Sequence, residues 1–220
     1  MRDVIFHLAD QHMEAGFRAF FSRDDWHFAM GCQKFDIDPD SERDIYRRGG
    51  YTDGGLWKHA HTNLVPFKDQ YRHAVIVLDA DFEPHPGADI LHQEISENML
   101  DAGWAEDSFC VVVIDPELEA WLWAPNVNVA RAFGHDDFGK MKAALSAEHL
   151  WDEGAPKPND LKRARDRAAR LGGKKTGGPI FRGVFAGISK RACDLCEETG
   201  FKRMRAALNT WFPYELGVNL

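Results

Sequence analysis

The sequence predicts an α/β protein built on an open, mostly parallel sheet flanked by helices. Three observations carry this. Short apolar runs rich in β-branched residues lie at 3–10, 73–81 and 109–115, and each gives way to a stretch with helical spacing. That alternation is what right-handed βαβ crossovers produce. The third run, FCVVVID, is apolar without alternation, as in strands covered by helices on both faces. All three runs end in carboxylates, at Asp10, at Asp79 and Asp81, and at Asp115. In open parallel sheets the sites form outside the carboxyl ends of the strands.

Taken in order, DVIFHLAD (3–10) has strand character, and HMEAGFRAFFSR (12–23) follows with Met13, Phe17, Phe20 and Phe21 on one helical face. Residues 31–70 are rich in turn formers and read as an insertion with one short helix, LWKHAHTNLVPF, packing Leu56, Trp57, Ala60 and Leu64 inward. Asp36, Asp38 and Asp40 alternate there but lack the glycine and distal glutamate of a calcium loop. HAVIVLDAD (73–81) is the second strand. DILHQEISENMLDAGW (89–104) is an amphipathic helix on Ile90, Leu91, Ile95, Met99 and Leu100. FCVVVID is the third strand, and ELEAWLWA (117–124) opens another helix. Beyond 150, KPNDLKRARDRAARLG (157–172) is a basic helix stopped by glycine, and residues 181–195 and 200–212 form two closing helices. The expected organisation is an acidic core over 1–150 and a basic helical extension over 151–220 packed on the same domain.

A hydrophobic fraction of 44% with 12% aromatic residues supports a folded core and excludes a disordered chain. The first apolar run contains acids, unlike a signal peptide, and no run approaches the roughly 18–20 residues of a membrane span. A cytoplasmic protein is the expectation. Of the four cysteines, Cys110 lies in an apolar run as a core thiol. Cys193 and Cys196 make a single CxxC without the second ligand pair that zinc requires.

The net charge of −8 is unevenly spread. Residues 157–205 carry a balance of +9 and residues 1–156 one of −16, which suits carboxylates holding a metal beside a basic flank holding a polyanion. A solvated basic helix is the competing explanation. If the three runs are neighbouring parallel strands, Asp10, Glu14, Asp79, Asp81, Asp115, Glu117 and Glu119 converge along one edge. Alternation along a strand that continued to 81 would point Asp79 and Asp81 the same way. Acids at that density repel and hold their protons more tightly unless a cation sits among them. Hard oxygen ligands suit Mg²⁺ or Mn²⁺. Asp115, before Pro116, reads first as a helix N-cap. For Asp79 and Asp81 capping explains one carboxylate at most, and metal binding is favoured. Glu14 reads equally as a solvated helix residue.

The combination resembles the TOPRIM-like fold, specifically the bacterial DUF4276 family and its relative RloB. The matching motifs are an acid followed four positions later by another (Asp10, Glu14), L-D-A-D at 78–81, and E-A-W-L-W at 119–123, the most specific of the three. The segment 188–208 is similar to the family's closing helices, so the resemblance covers most of the chain outside roughly 31–70. It implies a nuclease core with Asp10 as general acid/base and also a metal ligand, Asp79 and Asp81 as metal ligands, and Glu14 and Glu119 as supporting catalytic carboxylates. TOPRIM proteins usually place glutamate and glycine where this chain has Asp10 and Gln11, which puts catalysis in doubt. The implied activity is Mg²⁺- or Mn²⁺-dependent phosphodiester hydrolysis in prokaryotic phage defence, similar to components of restriction–modification-associated and methylation-associated systems. The alternative is a non-catalytic subunit binding nucleic acid or partner proteins. Candidate phosphate contacts are Lys174, Lys175, Arg182, Lys190 and Arg191, with Lys174 and Lys175 equally explained by solubility. His12 and His85 flank the acidic ends and read as structural ahead of proton transfer.

Overall fold

The computed structural model describes residues 1–214, so the last six positions of the 151–220 extension lie outside the described residues. Its centre is a four-stranded, all-parallel sheet of order β2-β1-β3-β4. The strands are β1 (Arg2–Leu8), β2 (Ile45–Tyr46), β3 (Tyr71–Asp79) and β4 (Phe109–Ile114). Leu8 pairs with Val77 and Asp79 with Ile114, so the carboxyl ends of β1, β3 and β4 share one edge. The sheet is open and helices flank it, as the alternating pattern predicts.

Helices cover both faces because successive strand residues point opposite ways. Phe6 of β1 packs on Phe17 and Phe21 of α1 (Gln11–Phe21), while its neighbour His7 meets Asn63 of α3 (Asp53–Leu64) on the other side. Between these two helices lies the short α2 (Trp26–Met30). α4 (Ala88–Asp101) precedes β4 and packs on it, and β4 is followed by a single 3-10 turn over Leu118–Leu122, α5 (Val127–Ala132), α6 (Phe138–Ala147) and α7 (Leu161–Leu171). The chain closes with α8 (Gly178–Gly187), α9 (Lys190–Asp194) and α10 (Thr199–Trp211). α8 lies on α1 and α10 on β4, and Phe181 and Leu208 join the same hydrophobic core as the strands. Gly200 is what lets α10 come so close: a Cβ there would stand 2.6 Å from the Val113 carbonyl oxygen.

Several sequence expectations need correction. Residues 31–70 are more than an insertion, since they supply β2, the parallel edge strand beside β1. They are fastened by Asp44, fully buried, which forms an ion pair with Arg2 and accepts from the Tyr71 hydroxyl at 2.7 Å and the Asp38 N–H at 2.8 Å. The helix expected from 117 is one 3-10 turn, because Pro125 ends any extension and pushes its neighbour out of the helical region. Asp115 is exposed and caps nothing; the residue at the cap of that turn is Glu117, without a side-chain bond. The helix expected over 181–195 breaks at Ile188, whose backbone is extended, and Ser189 caps α9 through the Ala192 N–H. On α4 only Leu91, Ile95 and Met99 are buried, while Ile90 and Leu100 face solvent. Among the described residues no helix is long and apolar enough to cross a membrane.

His7 is a buried titratable group within this frame. Its Nδ1 lies 3.4 Å from the Tyr46 carbonyl oxygen, and the Asn63 amide nitrogen lies 3.1 Å from Nε2. That pairing assigns the proton to Nδ1 and leaves Nε2 as acceptor. Burial pushes His7 down to about 4, with Arg48 adding to the effect and the Tyr46 bond opposing it. The unfolded chain takes up its proton near 6.5, so stability is complete above that value and falls as the pH drops toward about 4. The loss is on the order of 3 kcal/mol. Melting curves from pH 8 to pH 4 should show it, and His7→Gln should flatten the slope. Parallel profiles for the two proteins would place the acid lability elsewhere.

Candidate functional site

Asp79 ends β3 on the carboxyl edge and is 8% exposed. Its Oδ1 is buried with no hydrogen-bond partner. Its backbone N–H donates to Asp53 Oδ1 at 2.8 Å, which ties the first residue of α3 to the end of the strand. Asp10 follows β1 and caps α1, its Oδ1 accepting from the N–H groups of His12 at 2.6 Å and Met13 at 2.8 Å. The cap satisfies two helix-end donors and fixes the carboxylate at the edge.

Burial pushes Asp79 well above the usual carboxylate range, and the charges of Asp53, Asp10 and Glu119 push it further; the Leu118 backbone N–H opposes them. Asp53 is raised as well, first by burial and then by Asp10, against the Asp79 N–H and Lys162. Asp79 thus feels the charges of Asp53, Asp10 and Glu119, and Asp53 that of Asp10.

The other carboxylates are engaged elsewhere. β3 stops at Asp79: Ala80 still donates to the Ile114 carbonyl, but Pro116 has no N–H to return the next ladder bond, so the strand does not continue to Asp81. Asp81 is exposed and accepts from Lys162 Nζ at 2.7 Å; the same ammonium stands 2.5 Å from Glu117 Oε2. The Lys162 bond holds Asp81 below its ordinary value, whereas burial raises Glu117 despite the lysine. Burial alone would lower Lys162, but the two acids raise it. Glu119 is paired with Arg165, whose Nη2 also bonds Asp166 at 2.8 Å. Glu14 accepts from Arg47 at 2.7 Å and Arg18 at 3.1 Å. Burial opposes ionisation there, yet the two guanidinium groups hold Glu14 below its usual range. It joins α1 to the β2 segment and stands outside the acidic group.

The basic residues divide too. His12 stacks on Phe181 at 4.9 Å, and Phe17 lies 6.1 Å from Phe185, so α1 and α8 run in the same direction. Their N-termini share an end, which brings the loop holding Lys174 and Lys175 and the first turns of α8, with Arg182, toward Asp10. All three side chains are exposed. Lys190 and Arg191 sit at the other end of α1, where Arg23 donates to the Ile188 carbonyl; eleven residues of helix put that about 16 Å away. Lys190 is bonded to Asp194. The His12 stack is a packing role, and exposed His85 accepts from the Gly87 N–H at 3.2 Å.

Asp53 is the acid that the sequence analysis missed. Its signal is T-D-G-G at 52–55, a helix start just after a turn, but nothing local says that this helix points at the end of β3. Lys162 and Arg165 were missed as partners of the acids because they look like ordinary members of a basic helix. Among the described residues, no three His, Cys, Asp or Glu side chains form a ready-made ion cage. What the edge does hold is one buried carboxylate oxygen, Asp79 Oδ1, without a partner, and the charges of Asp53 and Asp10 act on it. Comparison with known protein families, with curated proteins and with solved structures finds no match to this chain.

Proposed function

We propose that the protein is a TOPRIM-like, Mg²⁺- or Mn²⁺-dependent phosphodiesterase, a nuclease acting in prokaryotic antiviral defence. One observation carries the metal part of this reading: Asp79 is buried among three other acids with an oxygen that nothing satisfies. A buried anion without a partner is expensive, and either a proton or a cation must answer it. Asp79 and Asp53 are the residues to hold the ion, with Asp10 beside them. When bound, such an ion supplies Lewis-acid polarisation of a phosphoryl oxygen. Asp10, oriented by its two backbone donors, faces the same edge. The loop with Lys174 and Lys175 offers exposed cations to a phosphate backbone approaching from solvent. The defence role rests on the sequence resemblance.

A second reading, a non-catalytic subunit binding nucleic acid or partner proteins, draws on α7. Lys162 and Arg165 already neutralise Asp81, Glu117 and Glu119, leaving a smaller acidic site than two-metal chemistry uses. One experiment separates the two. Purified protein is incubated with plasmid, single-stranded DNA and RNA in Mn²⁺ and in EDTA. Under the first reading cleavage requires the metal and falls at least a hundredfold in Asp79→Ala and Asp53→Ala. Cleavage unchanged by both substitutions would end that reading. Absence of cleavage together with salt-sensitive nucleic-acid binding would establish the second.

A further inference from the structure

A cavity of about 830 Å³ lies between α1, the 118–122 turn, α8, α9 and α10. Its walls are aromatic and aliphatic, with Phe17, Phe20, Trp121, Phe185, Phe201 and Met204 prominent. The volume falls within the range of small-molecule sites, and the walls come from five separate elements, giving a pocket in place of a flat face. The CxxC pair lines it as neutral thiols, since burial raises Cys193 to about 11 and raises Cys196 as well. Leu195, 64% exposed, lines the opening of the same cavity.

The charges at the rim are selective. Glu198 is paired with Lys157, and Glu197 with Lys202. Arg191 lines the same opening and has no carboxylate partner among the described residues. The rim therefore offers one uncommitted positive charge above an apolar interior. We propose that this cavity binds a small amphipathic monoanion, an apolar body carrying one carboxylate that pairs with Arg191. An extended apolar body fills the aromatic interior while its charged end remains at the wet rim, where a guanidinium can take a carboxylate through two parallel bonds.

Titration calorimetry with dodecanoate and with neutral dodecanol, both in EDTA, tests the site without reference to the acidic edge. Dodecanoate is expected to bind saturably with one-to-one stoichiometry, and Arg191→Glu to weaken it at least tenfold while leaving dodecanol unchanged. Leu195→Glu, at an exposed position that leaves the core intact, should weaken both ligands. Failure of dodecanoate to bind below millimolar concentration would overturn the proposal, as would equal affinity in the wild type and both variants. Sedimentation showing copies of the chain joined through Leu195 would also overturn it, because a protein would then cover the opening.

Discussion

Asp79→Asn is expected to melt several degrees above the wild type at pH 8 without divalent metal, and to lose any stabilisation that Mn²⁺ gives the wild type. In the folded protein Asp79 holds its proton to higher pH than an unfolded aspartate does, through burial and the neighbouring charges of Asp53, Asp10 and Glu119. A group whose folded value is raised contributes stability below its unfolded value, and that contribution is lost as the pH rises through the folded value. As the pH rises the fold must therefore either keep that proton against solvent or carry a buried anion with an unpartnered oxygen. Leaving such a group unsatisfied costs about 1–3 kcal/mol, and more when it is charged. Asparagine has the same shape without the charge, and its amide can donate to the surrounding carboxylates. At this chain length each kcal/mol moves the melting temperature by about 2–4 °C.

The pH dependence gives the internal control. The advantage of the asparagine protein should shrink as the pH falls toward the ordinary aspartate value, because the unfolded wild type then takes up the proton that folded Asp79 holds more tightly. A bound cation does the same for the wild type at high pH, so Mn²⁺ should raise its melting temperature most where the proton is absent. Scanning calorimetry from pH 5 to pH 9, in EDTA and in Mn²⁺, reads both effects. An asparagine variant melting at or below the wild type throughout, with no Mn²⁺ response in either protein, would remove Asp79 as the cation's anchor. Cleavage, if present in the wild type, should vanish in the same variant despite its greater stability.

Three of the four strands are legible in the sequence because each is a continuous apolar run, long enough to be buried whatever surrounds it. β2 is not, since Ile45 and Tyr46 become a strand only by pairing with Phe6 and His7. The site was legible in part for the same reason. Asp10 and Asp79 stand at the ends of those visible strands, and topology alone brings them together. Asp53 reaches Asp79 across 26 positions through a helix whose direction no local pattern records. The expected alignment of Asp81 with Asp79 required two more residues of strand, and β3 ends at Asp79, where Pro116 offers no N–H for the next ladder bond. The charge asymmetry was real, but a charge balance cannot show whether the basic segment faces a ligand or its own acidic half. For Lys162 and Arg165 it faces the acids, while Lys174, Lys175 and Arg182 remain directed to solvent.

Asp44→Ala is expected to lower the melting temperature by about 10 °C, the largest loss of stability from any single carboxylate in the chain. Asp44 is fully buried, and three groups depend on it: the Arg2 guanidinium, the Tyr71 hydroxyl and the Asp38 N–H. Burial and the bond to Asp44 both raise Tyr71, so the phenol keeps its proton and acts as donor. Breaking a buried pair by deleting one partner costs about 3–5 kcal/mol, and the lower end applies here because Arg2 can turn to water. At about 2–4 °C per kcal/mol that gives the expected shift. The consequence reaches the acidic edge. Asp44 immediately precedes β2, and the same stretch of chain leads on to Asp53, whose carboxylate holds the Asp79 N–H. Loosening β2 should release that contact, so any Mn²⁺ stabilisation should be lost along with the intrinsic stability. Asp44→Asn retains an acceptor for Tyr71 and should fall between the alanine variant and the wild type. If Asp44→Ala melts within a degree or two of the wild type and keeps its cation response, the 31–70 segment is an appendage. If both are lost together, the segment is a structural part of the site.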